Sequence, residues 1–177
     1  MAPQDEDQSV PRTGHSTLRV LGIDPGLHIT GYALVSGDGR QFVAEEAGVI
    51  RPAVQAKMAQ RLLCLHQELT ELIVATRPDC LAVEQLYAHY AHPRTAILMG
   101  HARGVILLAA EQAGLAVHDM PSTQVKKSLT GNGHATKLQM QKAIQSLCRL
   151  EEPPDPPDVA DAIAIALCAM QRVTLGL

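Results

Sequence analysis

Four carboxylates stand where metal-assisted hydrolysis needs them: Asp24, Glu84, Asp158 and Asp161. Asp24 follows the apolar run Leu18–Ile23 and precedes Pro25-Gly26, a turn signal that presents its side chain at a sheet end. Glu84 closes a second apolar run, Cys80–Val83. Asp158 and Asp161 are three apart at the start of a helical stretch and so share a face. Singly, each has an ordinary reading: a turn aspartate, a solvated strand-end glutamate, an N-cap with a first-turn acid. Together they offer oxygen ligands from separate elements, the donor set that hard divalent cations take. Their mutual repulsion also calls for a cation. Two such ions, about 3.5–4 Å apart, clamp the attacking and leaving oxygens of a phosphodiester.

The elements that must position these acids are legible in the apolar patterning. Leu18–Ile23, Thr30–Ser36 and about Gln41–Ile50 read as strands with tight connections, the second of them Gly37-Asp38-Gly39. Met58, Leu62, Leu65, Leu69 and Leu72 recur at helical spacing, predicting a helix over about Ala53–Thr76 that Arg77-Pro78-Asp79 stops. The strand Cys80–Val83 follows, then a helix over about Thr95–Ala113, apolar almost all round, with Gly100 and Gly104 four apart to let another backbone approach. Leu115–Asp119 is a fifth strand. Pro121-Ser122-Thr123 opens a short helix with a good N-cap, ended by Gly131-Asn132-Gly133. Helices over about Thr136–Leu150 and Asp158–Val173 complete the chain. The order predicts an α/β fold: a mixed five-stranded sheet with helices on both faces, its first and fourth strands adjacent. Residues 1–17 are polar and aperiodic and read as a disordered extension. Residues 18–177 read as a single domain.

Composition narrows the class. The 177 residues are 46% hydrophobic and 19% charged, enough apolar material for a core and too much for wholesale disorder. With no Trp, one Phe and three Tyr, that core must be aliphatic. No apolar run reaches membrane-spanning length and the N-terminus has no basic-then-apolar signal, so the expectation is a soluble, cytoplasmic protein. Cys64, Cys80, Cys148 and Cys168 form no C-x-x-C pair, which argues against a zinc ribbon or redox motif. His89-x-x-His92 lacks further ligands at zinc spacing and reads as part of a loop, as does His134. Asp155, in the Pro-rich loop 151–157, is a poor ligand for the same cluster. The net charge of −3 argues mildly against a nucleic-acid partner, but its distribution argues for one. Residues 89–149 hold seven basic and two acidic residues, a local balance of +5.

Five segments carry a resemblance: L-G-I-D-P-G-x-x-x-T-G-Y-A from Leu21, A-V-E-Q-L-Y from Ala82, G-x-A-R-G-V from Gly100, Q-V-K-K from Gln124 and D-V-A-D-A-I-A-I-A from Asp158. In this order and spacing, from about Leu18 to Met170, they closely resemble the RuvC family of bacterial Holliday-junction resolvases. The resemblance implies an RNase H-like fold and places the family's metal-binding and catalytic acids on Asp24, Glu84, Asp158 and Asp161. It further implies a homodimeric endonuclease that nicks two strands of like polarity in a four-way DNA junction, during homologous recombination and DNA repair. Mg2+ is the implied cofactor, or Mn2+, two ions per site, with Asp24 bridging. The implied partner is the RuvA–RuvB branch-migration motor. Lys126 and Lys137 match DNA-contacting lysines of the family, and Lys137 also lies just inside a helix N-terminus. Lys127 and Lys142 are backbone-contact candidates. Tyr87 matches an aromatic that stacks on bases at the opened crossover. The expected dimer surface is the helix carrying Gly100 and Gly104.

Competing classes remain distinguishable. An actin-like or sugar-kinase-like nucleotide binder shares D-x-G-x-x-x-T, matched by Asp24, Gly26 and Thr30, but needs two lobes and gives the helical aspartates no task. A non-catalytic junction scaffold does not need all four acids. An RNase H-like enzyme acting on RNA is the nearer competitor.

Overall fold

The computed structural model describes residues 17–26, 28–86 and 93–176. Nearly all of the N-terminal extension therefore lies outside the described residues, as do Tyr87, His89 and His92. Strands β1 (Leu18–Asp24), β2 (Thr30–Gly37) and β3 (Phe42–Ile50) are followed by helix α1 (Met58–Thr76) and strand β4 (Cys80–Glu84). Then come α2 (Pro93–Gln112), β5 (Ala116–Met120), α3 (Ser122–Thr130), α4 (Lys137–Leu147) and α5 (Pro157–Leu175).

The sheet order is β3-β2-β1-β4-β5. β1, β2 and β3 pair antiparallel as a meander, whereas β1–β4 and β4–β5 are parallel, as crossover helices require. This is the expected RNase H-like mixed sheet, with β1 beside β4. Side-chain alternation divides the core in two. Leu21, Ile23, Leu81 and Val83 pack with Leu65, Leu69 and Ile106 of α1 and α2. Val20, Cys80 and Ala82 face the other way, toward α5 and the residues Val125, Met140 and Ile144 of α3 and α4.

Gly22 of β1 belongs to the α5 face and sets how closely that helix lies. A Cβ there would stand 2.3 Å from the Ala162 carbonyl oxygen and 2.7 Å from the Ala166 nitrogen. Neither backbone atom can move aside cheaply. Gly22→Ala should therefore cost about 1–3 kcal/mol of stability by overpacking. Thermal denaturation checks this, and an unchanged midpoint would mean that α5 is not seated as described.

Several boundaries differ from the expectation. α1 starts at Met58 rather than Ala53, because the Lys57 backbone N–H donates to the Gln60 side chain at 2.9 Å and Arg61 ties down the preceding turn. The Arg61 guanidinium donates to the carbonyls of Ala56 and Val54, at 2.9 and 2.8 Å, so that turn has partners outside a helix. α3 has Pro121 at its N-cap with no side-chain cap, so the good cap expected here is absent and Ser122 is already helical. α4 ends at Leu147, followed by Cys148 at its C-cap and Arg149 at φ 53°. α2 carries apolar residues on both sides, as expected: Ala102, Ile106, Ala109 and Ala110 are buried, while Ile97 and Leu108 are exposed.

Candidate active site

β1 and β4 deliver two acids to one place. Their parallel register ends at Ile23↔Val83, so Asp24 and Glu84 stand side by side one residue further along. Because Ile23 and Val83 point toward α1 and α2, the next residues point toward α5. α5 approaches there with its N-terminal turn. Asp24 is registered with Gly31 of β2, and a Cβ on Gly31 would lie 2.2 Å from the Asp158 carbonyl oxygen. The glycine thus lets the start of α5 touch the strand and brings Asp158 beside Asp24. Asp161 follows one turn later on the same helix face.

The turn after β1 is built just as tightly. A Cβ on Gly26 would fall 1.8 Å from the Ile29 carbonyl oxygen, and the buried Thr30 hydroxyl donates to the Gly26 carbonyl at 3.3 Å. Asp24 therefore ends β1 just before Gly26, whose carbonyl the Thr30 hydroxyl holds. The cap reading of Asp158 is excluded, since Pro156 is the N-cap of α5 and Asp158 lies inside its first turn. There it meets the positive end of the helix dipole.

Electrostatics confirm that the four acids share one field. Burial pushes the Asp24 carboxyl up to about 8, helped by the charges of Asp161, Glu84 and Asp158 and opposed by Lys137. Burial also raises Glu84, with Asp161 adding to the shift and Lys126 opposing it. Asp161 is raised by partial desolvation and by Asp158, against Lys137 and Lys126. It nevertheless remains solvent-exposed, at the mouth of the site.

Lys126 and Lys137 are thus the two lysines that reach the acids. Both line a cleft of about 330 Å³ with Glu84, Asp161, Ser122 and Met140. Thr136 caps α4 by accepting from the Gln139 N–H at 3.3 Å, which orients the N-terminus beside Lys137. Lys127 and Lys142 are exposed and stand outside this lining. His134 is exposed in the loop before α4, its backbone N–H bonded to the Asn132 side chain.

The donor set fits hard cations: carboxylate oxygens from three elements, with lysines as second partners. Among the described residues, no three His, Cys, Asp or Glu side chains close into a metal cage by themselves. A hard cation held by few protein oxygens completes its sphere with waters and substrate oxygens. A thiol nucleophile is disfavoured, because Cys64, Cys80 and Cys148 are pushed up to about 11. Cys80, Cys148 and Cys168 are also buried.

Sequence reasoning missed the positioning roles of Gly22 and Gly31. The available signal was a glycine inside each strand, which marks a close backbone approach. It also counted Arg103 only as one of the basic residues; its contacts are described below.

The comparisons with known proteins agree with this geometry. The family model described as crossover junction endodeoxyribonuclease RuvC matches residues 20–169. A crossover junction endodeoxyribonuclease RuvC of Rhodopirellula baltica is 50% identical over 149 residues, covering 84% of each chain. A Thermus thermophilus RuvC structure superposes with a TM-score of 0.82 at 31% identity, covering 90% of this chain and 97% of that one. T. thermophilus RuvC in complex with Holliday junction substrate gives 0.84 at the same identity, covering 90% and 96%. With the family model matching residues 20–169 and a relative 50% identical, the chain belongs to the RuvC family of crossover junction endodeoxyribonucleases.

Proposed function

We propose that this chain resolves four-way DNA junctions by symmetric hydrolytic nicking of two strands of like polarity, in recombination and repair. The observation that carries the reading is the cleft where Glu84 and Asp161 stand with Lys126 and Lys137, beside an Asp24 that feels the charges of Glu84, Asp158 and Asp161. The T. thermophilus relative solved with a Holliday junction supports the same substrate here.

The four acids would hold two divalent ions, Mg2+ or Mn2+, with Asp24 central because the charges of all three others act on it. When bound, such ions neutralise the scissile phosphate and make a water acidic enough to attack. The side chains do the remaining work. Lys126 and Lys137 take the phosphate oxygens, and the N-terminus of α4 adds its dipole. Product ends are a 5′-phosphate and a 3′-hydroxyl, with no covalent intermediate. Lys127 and Lys142 would hold flanking backbone, and Tyr87 would stack on bases at the crossover.

Two copies are needed for paired nicks. The outer face of α2 offers the surface: a groove of about 460 Å³ lined by Leu62, Ile97, Gly100, Gly104 and Leu108. A Cβ on Gly100 or Gly104 would meet nothing within 4 Å of this chain, so this face is open for a second copy to approach. No helix among the described residues is long and apolar enough to cross a membrane. We assign the work to the cytoplasm, in one nuclease domain over residues 18–177 acting with the RuvA–RuvB motor.

The test is cleavage of a labelled four-way junction with Mg2+, Mn2+ or EDTA, beside a linear duplex and an RNA–DNA hybrid. Paired, metal-dependent nicks on the junction alone are expected. Cleavage confined to the hybrid would replace this reading with an RNase H activity. Lys126→Ala should weaken junction binding and flatten the salt dependence by about one unit of log–log slope. Unchanged affinity across salt would remove Lys126 from the DNA contact.

A further inference from the structure

We propose that Arg103 is a positioning residue that holds Glu84 in place for a divalent cation; this rests on the metal reading above. Arg103 lies in the middle of α2, far from the acids in sequence, with its side chain only 15% exposed. Its guanidinium makes two bonds. Nη1 donates to the Glu84 carbonyl oxygen at 2.7 Å, and Nη2 pairs with the Asp119 carboxylate on β5.

Glu84 needs such an anchor. It is the last residue of β4, one step beyond the final β1 rung at Ile23↔Val83. On its other side it is registered with Met120, and the Gln85 N–H donates to the Met120 carbonyl at 3.0 Å. The chain then leaves the sheet. Arg103 fixes the carbonyl of the residue whose carboxylate must face the cation, and bridges it to the adjacent strand. A planar fork holds two acceptors in one geometry, which the single ammonium of lysine does not. The role is geometric. The charges that move the Glu84 carboxyl are those of Asp161 and Lys126, while Arg103's own charge is matched by Asp119.

Partners that orient a metal ligand are worth about 10–100-fold in metal affinity. Calorimetric titration of the full chain with Mn2+ should therefore show Arg103→Gln binding about 10-fold more weakly. The Mg2+ concentration for half-maximal junction nicking should shift to the same extent, with the rate largely recovered at saturating Mg2+. A merely structural arginine would lower the melting temperature and the active fraction without moving either titration. Asp119→Ala is the second variant, at a side chain 55% exposed. It frees one arm of the fork and should shift both titrations in the same direction, by at least about twofold. Wild-type Mn2+ affinity in both variants would overturn the proposal while leaving the metal site standing. A wild-type chain that takes up no Mn2+, or an Asp24→Asn chain that takes it up equally, would overturn the metal reading and the proposal with it.

Discussion

Asp24→Asn should retain junction binding within a few-fold and lose cleavage by at least about 10³-fold. Asparagine keeps the shape of the side chain and one carbonyl-type oxygen but removes the charge at the centre of the cluster. The Asp24 carboxyl is the most strongly shifted of the four, because burial and three neighbouring acids act on it together. A unit charge about 4 Å from a cation is worth about 4 kcal/mol at the effective dielectric of such sites, and each 1.36 kcal/mol is tenfold in rate. Binding should survive, since the DNA is gripped by lysines on α3 and α4. In the absence of divalent ions it should tighten slightly, as a negative charge leaves the phosphate path. Single-turnover cleavage and a binding assay in EDTA separate the two quantities. Cleavage at the wild-type rate would remove Asp24 from the centre.

The second large effect is a stability that falls as pH rises. Asp24 titrates at about 8 in the folded chain against an ordinary value of 3.8. Its folded pKa is raised, so the stabilisation from keeping it protonated is complete below about pH 4. That stabilisation is lost progressively as pH climbs to about 8. Glu84 and Asp161 are shifted in the same direction and add to the slope. In chelator, the loss between pH 4 and 8 should be on the order of 5 kcal/mol. That corresponds to a drop in melting temperature on the order of 10 °C for a chain of this size. Asp24→Asn should flatten most of this dependence, and Mg2+ added at pH 8 should restore the wild-type midpoint by binding the ionised cluster. Identical profiles for the two proteins in chelator would contradict the burial and coupling of Asp24.

The sheet was readable because each of its signals is local. Leu21, Ile23, Leu81 and Val83 alternate with smaller residues, so their burial and the exit of Asp24 and Glu84 on the opposite face follow from the period of a strand. The adjacency of β1 and β4 was expected from the order of a meander feeding βαβ units, and the parallel pairing of the two strands bears it out. The acids stood out as candidates because Asp24 and Glu84 end strands and Asp158 and Asp161 share one face at the start of a helix. What stayed hidden depends on contacts distant in sequence. The start of α1 was misplaced because Arg61 provides the carbonyls of Val54 and Ala56 with partners that periodicity does not show. Gly22 and Gly31 look like weak points within strands until α5 is laid across them at 2.3 and 2.2 Å from a would-be Cβ. Arg103 is nineteen residues from Glu84 and on a different element, so its bond to that carbonyl had no local signal at all. The opening of α3 misled for a different reason: Ser122 is a good cap by type, but Pro121 already occupies the cap position.

The central claim is that the acids at the joined ends of β1, β4 and α5 form the metal centre that cuts the junction. The most direct measurement is anomalous scattering from crystals of the chain grown with a four-way junction and Mn2+. The account predicts Mn2+ peaks with an Asp24 carboxylate oxygen at about 2.1 Å and ligands from Glu84 and the α5 aspartates, next to a junction phosphate. Mn2+ bound elsewhere on the complex, with none within ligand distance of Asp24, would contradict it.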